Sequence, residues 1–226
     1  MRIATWNVER LKHHRSLDQI VSACERIQAD ILVLTESDER ICPKYLHSFH
    51  TPSPPDLKLP AFDEPLHYQP TEHRVSIFTH YPCIRQHSTF DAHTALCVEL
   101  DTPAGSLLVY GTIVGILGNR HKSFEHDLSQ QLTDWKQLTA KHENLCVCGD
   151  FNCSFADNYY FTMSGRAMLQ QGFRDCGMRI LTESVSHCID HIAISERIIA
   201  QGDLQIGEWN QEKTLSDHKG ICVDLP

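Results

Sequence analysis

The sequence predicts an α/β fold in which two mixed β-sheets pack face to face and helices cover them from outside. Apolar runs of strand length outnumber the helical patterns, and 41% of the 226 residues are hydrophobic, enough for one sizeable core. Some neighbouring strands are separated by a helical segment and others only by a tight turn, whereas a purely parallel sheet needs a long crossover after each strand. No internal repeat or linker is apparent, so we expect a single domain over residues 1–226.

The first third of the chain predicts a β-α-β unit followed by a long loop. Residues 2–8 alternate as a strand, residues 17–28 carry an apolar stripe after a candidate N-cap at Ser16, and the apolar run 30–36 is the next strand. Residues 47–70 hold six of the ten prolines and cannot form a long regular element. We interpret them as an irregular surface loop, either a plain connection or a flap over a substrate site.

The remaining two thirds predict further strands and two helices. Runs of strand length occur at 74–82, 95–100, 106–112, 144–152, 188–195 and 219–225. The second and third of these flank DTPAG and predict a hairpin. Residues 123–141 show the clearest helical periodicity, and we expect a shorter helix near 164–171 and a helical turn at 196–201.

Bulk properties narrow the class of protein. The formal net charge of −9 argues mildly against a domain whose main task is to grip a nucleic-acid backbone. The amino-terminal MRIATWNV lacks the apolar segment of a signal peptide, and no stretch reaches the ~20 apolar residues that span a bilayer. We therefore expect a cytoplasmic monomer with its ten cysteines reduced, with no membrane span and no disulfide-linked partner.

Polar side chains gather at the ends of the predicted strands. They are Asn7, Glu36, Asp150, Asn152, Asp190, Asp217 and His218. Any one of them alone is typical of a turn or a cap. Together they belong to five strands that are far apart in the sequence, and ligands of α/β folds gather at such strand ends. The sequence therefore predicts a functional site where these strands end.

The residue types suggest metal-assisted hydrolysis of a phosphoester. The hard oxygen ligands that suit Mg²⁺ or Mn²⁺ are Glu36, Asp217, Asn7 and Asn152. Asp150 could accept a proton from a water molecule, and His218 could donate to a phosphate oxygen while Asp190 orients its ring and favours the imidazolium.

The motifs TWNV, LTE, GDFN, IDHIAIS and SDHKG, in this order between residues 5 and 220, resemble the endonuclease/exonuclease/phosphatase superfamily. Its members include DNase I-like enzymes, abasic-site endonucleases, inositol polyphosphate 5-phosphatases and sphingomyelinases. The resemblance implies a four-layer α/β sandwich. It also implies a divalent metal held mainly by Glu36, with Asn7 and Asp217 near it.

The same resemblance implies roles for the other motif residues. Asp150 would orient or deprotonate the attacking water, and Asn152 would help to place it. His218, paired with Asp190, would stabilise charge on the phosphorus-centred transition state. The sequence leaves open whether Asp150 or His218 is the base.

Substrate contacts are predicted from the strand before the long helix and from the loop that follows it. Many relatives place a Tyr or His on that strand, and here either Tyr110 or Thr112 takes the position. Asn119, Arg120 and Lys122 come next and precede a helix, where a phosphate could bind. A second basic stretch, RLKHHR, follows the first strand.

The leading hypothesis is a nuclease-like hydrolase of phosphodiesters. The alternative is a phosphatase or phosphodiesterase that acts on a small molecule such as an inositol phosphate or a lipid headgroup. A third hypothesis is a non-catalytic binding module of the same fold. A serine hydrolase using Ser154 or Ser216 is disfavoured because no G-x-S-x-G elbow exists. A zinc site at Cys146, Cys148 and Cys153 is disfavoured because no C-x-x-C pair exists and the first two alternate as core residues do.

Overall fold

A computed structural model describes residues 1–58, 65–199 and 204–225 of the chain. The described residues form twelve strands and three α-helices. The strands are β1 (Arg2–Asn7), β2 (Ile31–Asp38), β3 (His47–His50), β4 (Glu72–Thr79), β5 (Cys83–His87), β6 (Ala95–Thr102), β7 (Gly105–Ile113), β8 (Leu145–Asp150), β9 (Met178–Ile180), β10 (Asp190–Ser195), β11 (Gln205–Trp209) and β12 (Gly220–Asp224). The helices are α1 (Leu17–Arg26), α2 (Phe124–Thr139) and α3 (Met163–Asp175).

The strands form two mixed sheets of six strands each, which confirms the predicted fold class. The first sheet has the order β11-β12-β1-β2-β4-β3, and the second has the order β5-β6-β7-β8-β10-β9. Within each sheet one central pair is parallel, β1 with β2 and β7 with β8, and the remaining pairs are antiparallel. Helix α1 packs against the outer face of the first sheet, and α2 and α3 pack against the outer face of the second. Among the described residues, none of the helices combines the length and the apolar character that a membrane span requires.

Alternation along β1 shows how the fold delivers polar groups to a buried edge. Ile3 packs between the sheets with residues such as Val33 and Val109, whereas Trp6 packs on the outer face under α1. Since side chains two apart share a face, Asn7 falls on the same inner face as Ile3. Burial of this apolar layer stabilises the fold by about 25 cal/mol per Å² of apolar surface removed from water. The site therefore inherits its position from the sheet-to-sheet packing.

The structure corrects the prediction of an irregular loop over residues 47–70. His47–His50 form β3, a short strand that pairs with β4 at the edge of the first sheet, so that part of the prediction is wrong. A main-chain bridge also joins Leu57 to Leu66. Residues 59–64 of this predicted loop lie outside the described residues. A four-residue edge strand carries too little alternation to be detected without its partner.

The helix boundaries follow local capping chemistry. Ser16 does precede α1, but its side chain makes no capping hydrogen bond, and a 3₁₀ turn over His14–Ser16 leads into the helix instead. Helix α3 begins at Met163, earlier than predicted, because the Thr162 hydroxyl accepts a hydrogen bond from the Gly165 N–H.

Gly149 allows β8 to reach its last residue beside β7. Its backbone has φ = +139°, a region that side chains with a Cβ rarely adopt, and a Cβ there would overlap the carbonyl oxygen of Thr112. The next residue, Asp150, is one of the predicted site residues. Gly149 therefore links the packing of two strands to the placement of a carboxylate.

We predict that Gly149→Ala lowers the free energy of unfolding by about 3 kcal/mol or more, since it adds both backbone strain and a steric overlap. Urea denaturation measures this loss. Gly177→Ala is the matched control, because Gly177 also has a positive φ (+63°) but nothing lies within 4 Å of its would-be Cβ. We expect it to lose about 1 kcal/mol. Equal losses in the two variants would contradict the steric explanation.

Candidate active site

The predicted site residues meet where the ends of the two sheets pack together. Asn7 ends β1 in the first sheet, and its Nδ2 donates to Oδ2 of Asp150, which ends β8 in the second sheet, at 3.1 Å. His218 precedes β12 in the first sheet, and its Nδ1 donates to Oδ2 of Asp190, which begins β10 in the second, at 2.6 Å. Two hydrogen bonds therefore cross between the sheets at the same edge.

Asp150 and Asp190 are direct neighbours across the β8–β10 pair, and each is almost completely buried, at 3% and 1% exposure. Burial raises the pKa of Asp150 to about 7. The positive charge of His218 opposes this rise, whereas the Asp190 carboxylate adds to it. Asp150 is therefore a weaker acid than an ordinary aspartate and can exchange a proton near neutral pH.

His218 carries the positive charge that balances these carboxylates. Burial alone lowers its pKa, but the ion pair with Asp190, helped by Asp150 and Asp217, outweighs burial and raises the pKa to about 10. The ring is therefore an imidazolium at neutral pH. Its Nδ1 is held by Asp190, and its Nε2 lies 3.7 Å from the Asp217 carboxylate. This nitrogen is the one left to donate to a ligand.

Glu36 is brought to the same site by an irregularity in β2. Its backbone is left-handed (φ = +47°), and the regular pairing of β2 with β4 skips it between Thr35 and Ser37. The Ser37 hydroxyl meets Ser76 on the outer face of the sheet, although strict alternation from Val33 and Thr35 would place Ser37 on the inner face. The left-handed residue thus shifts the alternation by one and points Glu36 inward.

The carboxylate of Glu36 has no hydrogen-bond or ion-pair partner in the described part of the chain, although it is half-buried. Burial raises its pKa, while the positive charges of His218, Lys12 and Arg10 act in the opposite direction. A half-buried carboxylate without a partner is costly unless a cation binds to it.

The donor set around Glu36 fits a hard divalent cation. Asp217 adds an exposed carboxylate whose charge acts on Glu36, and Asn7 adds an amide oxygen that already accepts from the Glu9 N–H at 2.9 Å. Within the described ranges no group of three or more His, Cys, Asp or Glu side chains could enclose a metal ion by itself. Mg²⁺ typically uses one or two carboxylates and completes its shell with water and a substrate phosphate, so an open site of this kind suits it.

Asn152 is held in a left-handed conformation (φ = +48°) directly after β8. Its N–H donates to Asp150 Oδ1 at 2.8 Å, and its side-chain amide donates to the Val114 carbonyl at 3.1 Å. Its own carbonyl accepts a hydrogen bond of 2.7 Å from Asn119. Strained backbone of this kind persists where the surroundings hold it firmly, often at functional sites.

The predicted substrate contacts are separated by the structure. Asn119 is buried behind Asn152, so it supports the site from within rather than lining it, whereas Arg120 and Lys122 are exposed on the neighbouring loop. A substrate contact by Arg120 or Lys122 stays a prediction.

Tyr110 and Thr112 are not brought to the site, because both face α2. The Tyr110 hydroxyl donates to Asp134, and the Thr112 hydroxyl donates to Gln131, with both residues fully buried. The residue of β7 that lies opposite Asp150 is Ile113. The predicted position was therefore displaced by one residue, which reverses the face of a strand.

The two alternative chemistries find no support in the geometry. The hydroxyl of Ser216 donates to the Asn7 carbonyl and accepts from the His218 N–H, and the hydroxyl of Ser154 accepts from the Tyr160 N–H, so both serve the main chain. Cys146 and Cys148 lie in the core between the sheets, while Cys153 lies in the other core under α2 and α3. The three thiols therefore do not converge.

His191 is a supporting residue that the sequence did not indicate. It is completely buried; its Nε2 donates to the Cys153 carbonyl and its Nδ1 accepts from the Thr182 hydroxyl, each at 2.9 Å. Burial lowers its pKa to about 4, so the ring is neutral. The residue ties the loop after β8, which contains Asn152, to β10.

A cleft of about 250 Å³ opens beside His218 and Asp190. Its far wall is formed by Tyr159 and Lys213, whose hydroxyl and ammonium groups are 3.0 Å apart, and by His187, which meets the edge of the Tyr159 ring. The Tyr159 ring and the Lys213 ammonium group therefore lie beside the Asp190–His218 pair, where they could contact an anionic ligand.

The family described as "Endonuclease/Exonuclease/phosphatase family" matches residues 4–218 of this chain. Three solved structures are similar to it. The 3′ phosphatase NExo from Neisseria, bound to a product DNA hairpin, has a TM-score of 0.72 and 18% identity, with 100% of this chain and 99% of that chain covered. The endonuclease domain of TRAS1, a telomere-specific non-LTR retrotransposon, has a TM-score of 0.70 and 15% identity, with 99% and 97% covered. An AP endonuclease from Archaeoglobus fulgidus has a TM-score of 0.69 and 12% identity, with 100% and 99% covered.

At sequence identities this low, similarity to the three solved structures shows a shared fold and nothing more. None of the curated proteins matches the chain by sequence.

We predict that acid weakens the fold through His191. Its pKa in the folded protein, about 4, lies below the ordinary value of 6.5, so its contribution to stability is complete above pH 6.5 and is lost as the pH falls towards 4. The whole shift corresponds to about 3 kcal/mol. Urea denaturation at pH 7.5 and at acid pH should show a smaller acid loss in His191→Gln than in the natural protein. His126→Gln, at an exposed histidine on α2, is the control and should keep the natural pH dependence. An unchanged pH dependence in His191→Gln would contradict the prediction.

Proposed function

The chain belongs to the endonuclease/exonuclease/phosphatase family, and from that premise we propose that it is a divalent-metal-dependent hydrolase of phosphodiesters that acts by in-line attack of water. One observation carries the proposal. The Asp190–His218 ion pair and the Asn7–Asp150 hydrogen bond lie at one edge of the sandwich, together with the Glu36 carboxylate, which has no partner among the described residues.

The proton and charge chemistry is assigned to three side chains. Asp150 is buried beside an imidazolium, so it can hold a water molecule through a hydrogen bond and accept its proton. His218 stays protonated and donates through Nε2 to a nonbridging phosphate oxygen, where negative charge develops in the transition state. Asp190 holds the ring by its Nδ1 and keeps it charged.

The main chain around Asn152 completes this arrangement. The hydrogen bonds from Asn152 to Asp150 and to Val114, and the one it receives from Asn119, fix the loop against which the water is placed. A near-attack geometry of this kind reduces the entropy lost on reaching the transition state. A divalent cation held by Glu36, Asp217 and Asn7 would supply charge stabilisation to the phosphate oxygens and to the leaving group.

The cleft wall of Tyr159 and Lys213 is proposed to contact the substrate beside the scissile phosphate. Lys213 has no ion-pair partner among the described residues, so its charge is free to meet a phosphate, while the Tyr159 ring is exposed. A nucleotide provides both a phosphate and a flat base, which suits this pairing. DNA and RNA are therefore the first substrates to test.

A small phosphoester is the second candidate, and the net charge of −9 favours it. An acidic protein gains little from long-range attraction to a polyanion, whereas a small ester needs only local contacts. Phosphomonoesters at a DNA end and inositol phosphates belong to this group.

We predict that purified protein hydrolyses bis(p-nitrophenyl) phosphate or short single-stranded DNA with Mg²⁺ or Mn²⁺, and that a chelator abolishes turnover. A parallel panel of abasic duplex DNA, RNA, 3′-phosphorylated DNA and inositol phosphates identifies the substrate class. Asp150→Asn and His218→Ala should each lower kcat by at least about a hundredfold, the usual contribution of a general acid or base.

Thr133→Ala, on the exposed side of α2, is the control and should leave kcat unchanged. Turnover that survives chelation, or that survives in both active-site variants, would exclude the proposed mechanism. Binding of a phosphate ligand without turnover of any substrate would instead support a binding module.

A further inference from the structure

A second pocket, separate from the cleft, is lined by Glu36. It is small, about 20 Å³ against about 250 Å³ for the cleft, and Arg10, Glu36, Tyr68, Arg74 and Ile113 are among the residues that line it. Space of this size suits a small charged group more than a whole nucleoside. These residues come from four separate parts of the chain. Two of them, Arg10 and Arg74, are basic, and none belongs to the hydrogen-bonded cluster around Asp150.

Arg74 is the unusual member of this pocket. It is only 6% exposed, yet its guanidinium has no hydrogen-bond or ion-pair partner within residues 1–58, 65–199 and 204–225. Its Nε is completely shielded and unpartnered. Among the described residues its guanidinium lies against the Tyr68 ring, whose centroid is 5.1 Å from the guanidinium carbon. Buried arginines are nearly always paired, so a missing anion is the simplest reason for this arrangement.

The backbone directs both arginines into the pocket. Arg74 lies across from Glu36 at the break in the β2–β4 pairing, so the irregularity that turns Glu36 inward also places Arg74 beside it. Arg10 lies in a run of three residues, Glu9 to Leu11, that all have left-handed φ angles of 52° to 54°. Consecutive left-handed residues cost about 1–2 kcal/mol each, and such strain is kept where a side chain must point in one direction.

The charges of the pocket leave Arg74 in excess. Arg10 is neutralised by Glu72, with nitrogen and oxygen 2.9 Å apart, and it also donates to the His67 carbonyl and lies over the Tyr68 ring at 4.3 Å. Glu36 is assigned to the cation under the proposed function. Within the described ranges, one positive charge on Arg74 is then left without a compensating carboxylate, and it lies in the pocket that Glu36 also lines.

We propose that this pocket is a second phosphate-binding subsite, in which Arg74 binds a phosphate group of the substrate other than the one that is hydrolysed. Tyr68 positions Arg74 by holding its guanidinium. The inference rests on the proposed function, because it identifies the substrate as one with at least two phosphates. Two sources share this chemistry, the next phosphate of a nucleic-acid strand and the second phosphate of an inositol polyphosphate.

The test compares substrates with one and with several phosphates. The substrate with several phosphates is a short oligonucleotide or an inositol polyphosphate, whichever the protein hydrolyses. For that substrate we expect Arg74→Met to raise KM about tenfold or more, because one charge-assisted contact is lost. KM for bis(p-nitrophenyl) phosphate, which has one phosphate, should not change, and Arg74→Lys should recover part of the loss. Arg174→Met, at an exposed arginine on α3, is the control. Equal effects on both kinds of substrate, or no effect on either, would overturn the subsite.

A stability measurement separates binding from a structural role. If Arg74 served the fold, Arg74→Met would lower the midpoint of urea unfolding, whereas a buried arginine that waits for a ligand should leave the midpoint unchanged or raise it. If the natural protein hydrolyses no substrate, the proposed function fails and the subsite is tested alone, by titration with inorganic phosphate. Binding that is at least about tenfold weaker in Arg74→Met would support it, and equal binding would overturn it.

Discussion

Two hydrogen bonds that cross from one sheet to the other, Asn7 to Asp150 and His218 to Asp190, are the constraint on which the candidate site depends. In each bond one partner comes from the first sheet and the other from the second, so neither sheet contains the site by itself. The close approach of the sheets is visible at Gly111, where a Cβ would overlap side-chain atoms of the first sheet. Packing of the apolar inner faces therefore fixes the geometry of the polar cluster.

The cluster also has to solve an electrostatic problem that the fold creates. Asp150 and Asp190 lie directly opposite each other in a buried antiparallel pair, an arrangement in which like charges repel. His218 relieves the repulsion by adding one positive charge, and the rise in the pKa of Asp150 relieves it further, since a proton can reside there. Glu36 feels the charge of His218 but has no hydrogen-bond or ion-pair partner in the described ranges. The site is thus internally compensated except at the position where a cation fits.

The sequence predicted the strand ends well because alternation and apolar runs locate where a buried strand stops. It could not show that β2 changes its alternation at Glu36, because a left-handed residue leaves no mark in the pattern of polar and apolar letters. It also assigned the wrong face of β7. Alternation shows that Tyr110 and Thr112 share one face of the strand, but it does not show which of the two faces is turned towards the site. Arg74 was overlooked because it opens the predicted strand 74–82, a position where a charged residue is usually solvated.

The two cavities differ in kind: His218 lines the cleft, whereas Glu36 lines the pocket. The cleft is wide and presents a ring and an ammonium group near the surface, whereas the pocket is small and presents a buried guanidinium. With a net charge of −9, the protein has little long-range attraction for a polyanion, so affinity has to come from short-range contacts at these two places. A contact between opposite charges contributes more binding free energy when it is buried than when it is exposed to solvent. The Arg74 pocket should therefore contribute more to substrate affinity, and the cleft should accept a wider range of groups. A substrate held in this way would be selected by the spacing of its phosphates at the pocket and tolerated more widely at the cleft.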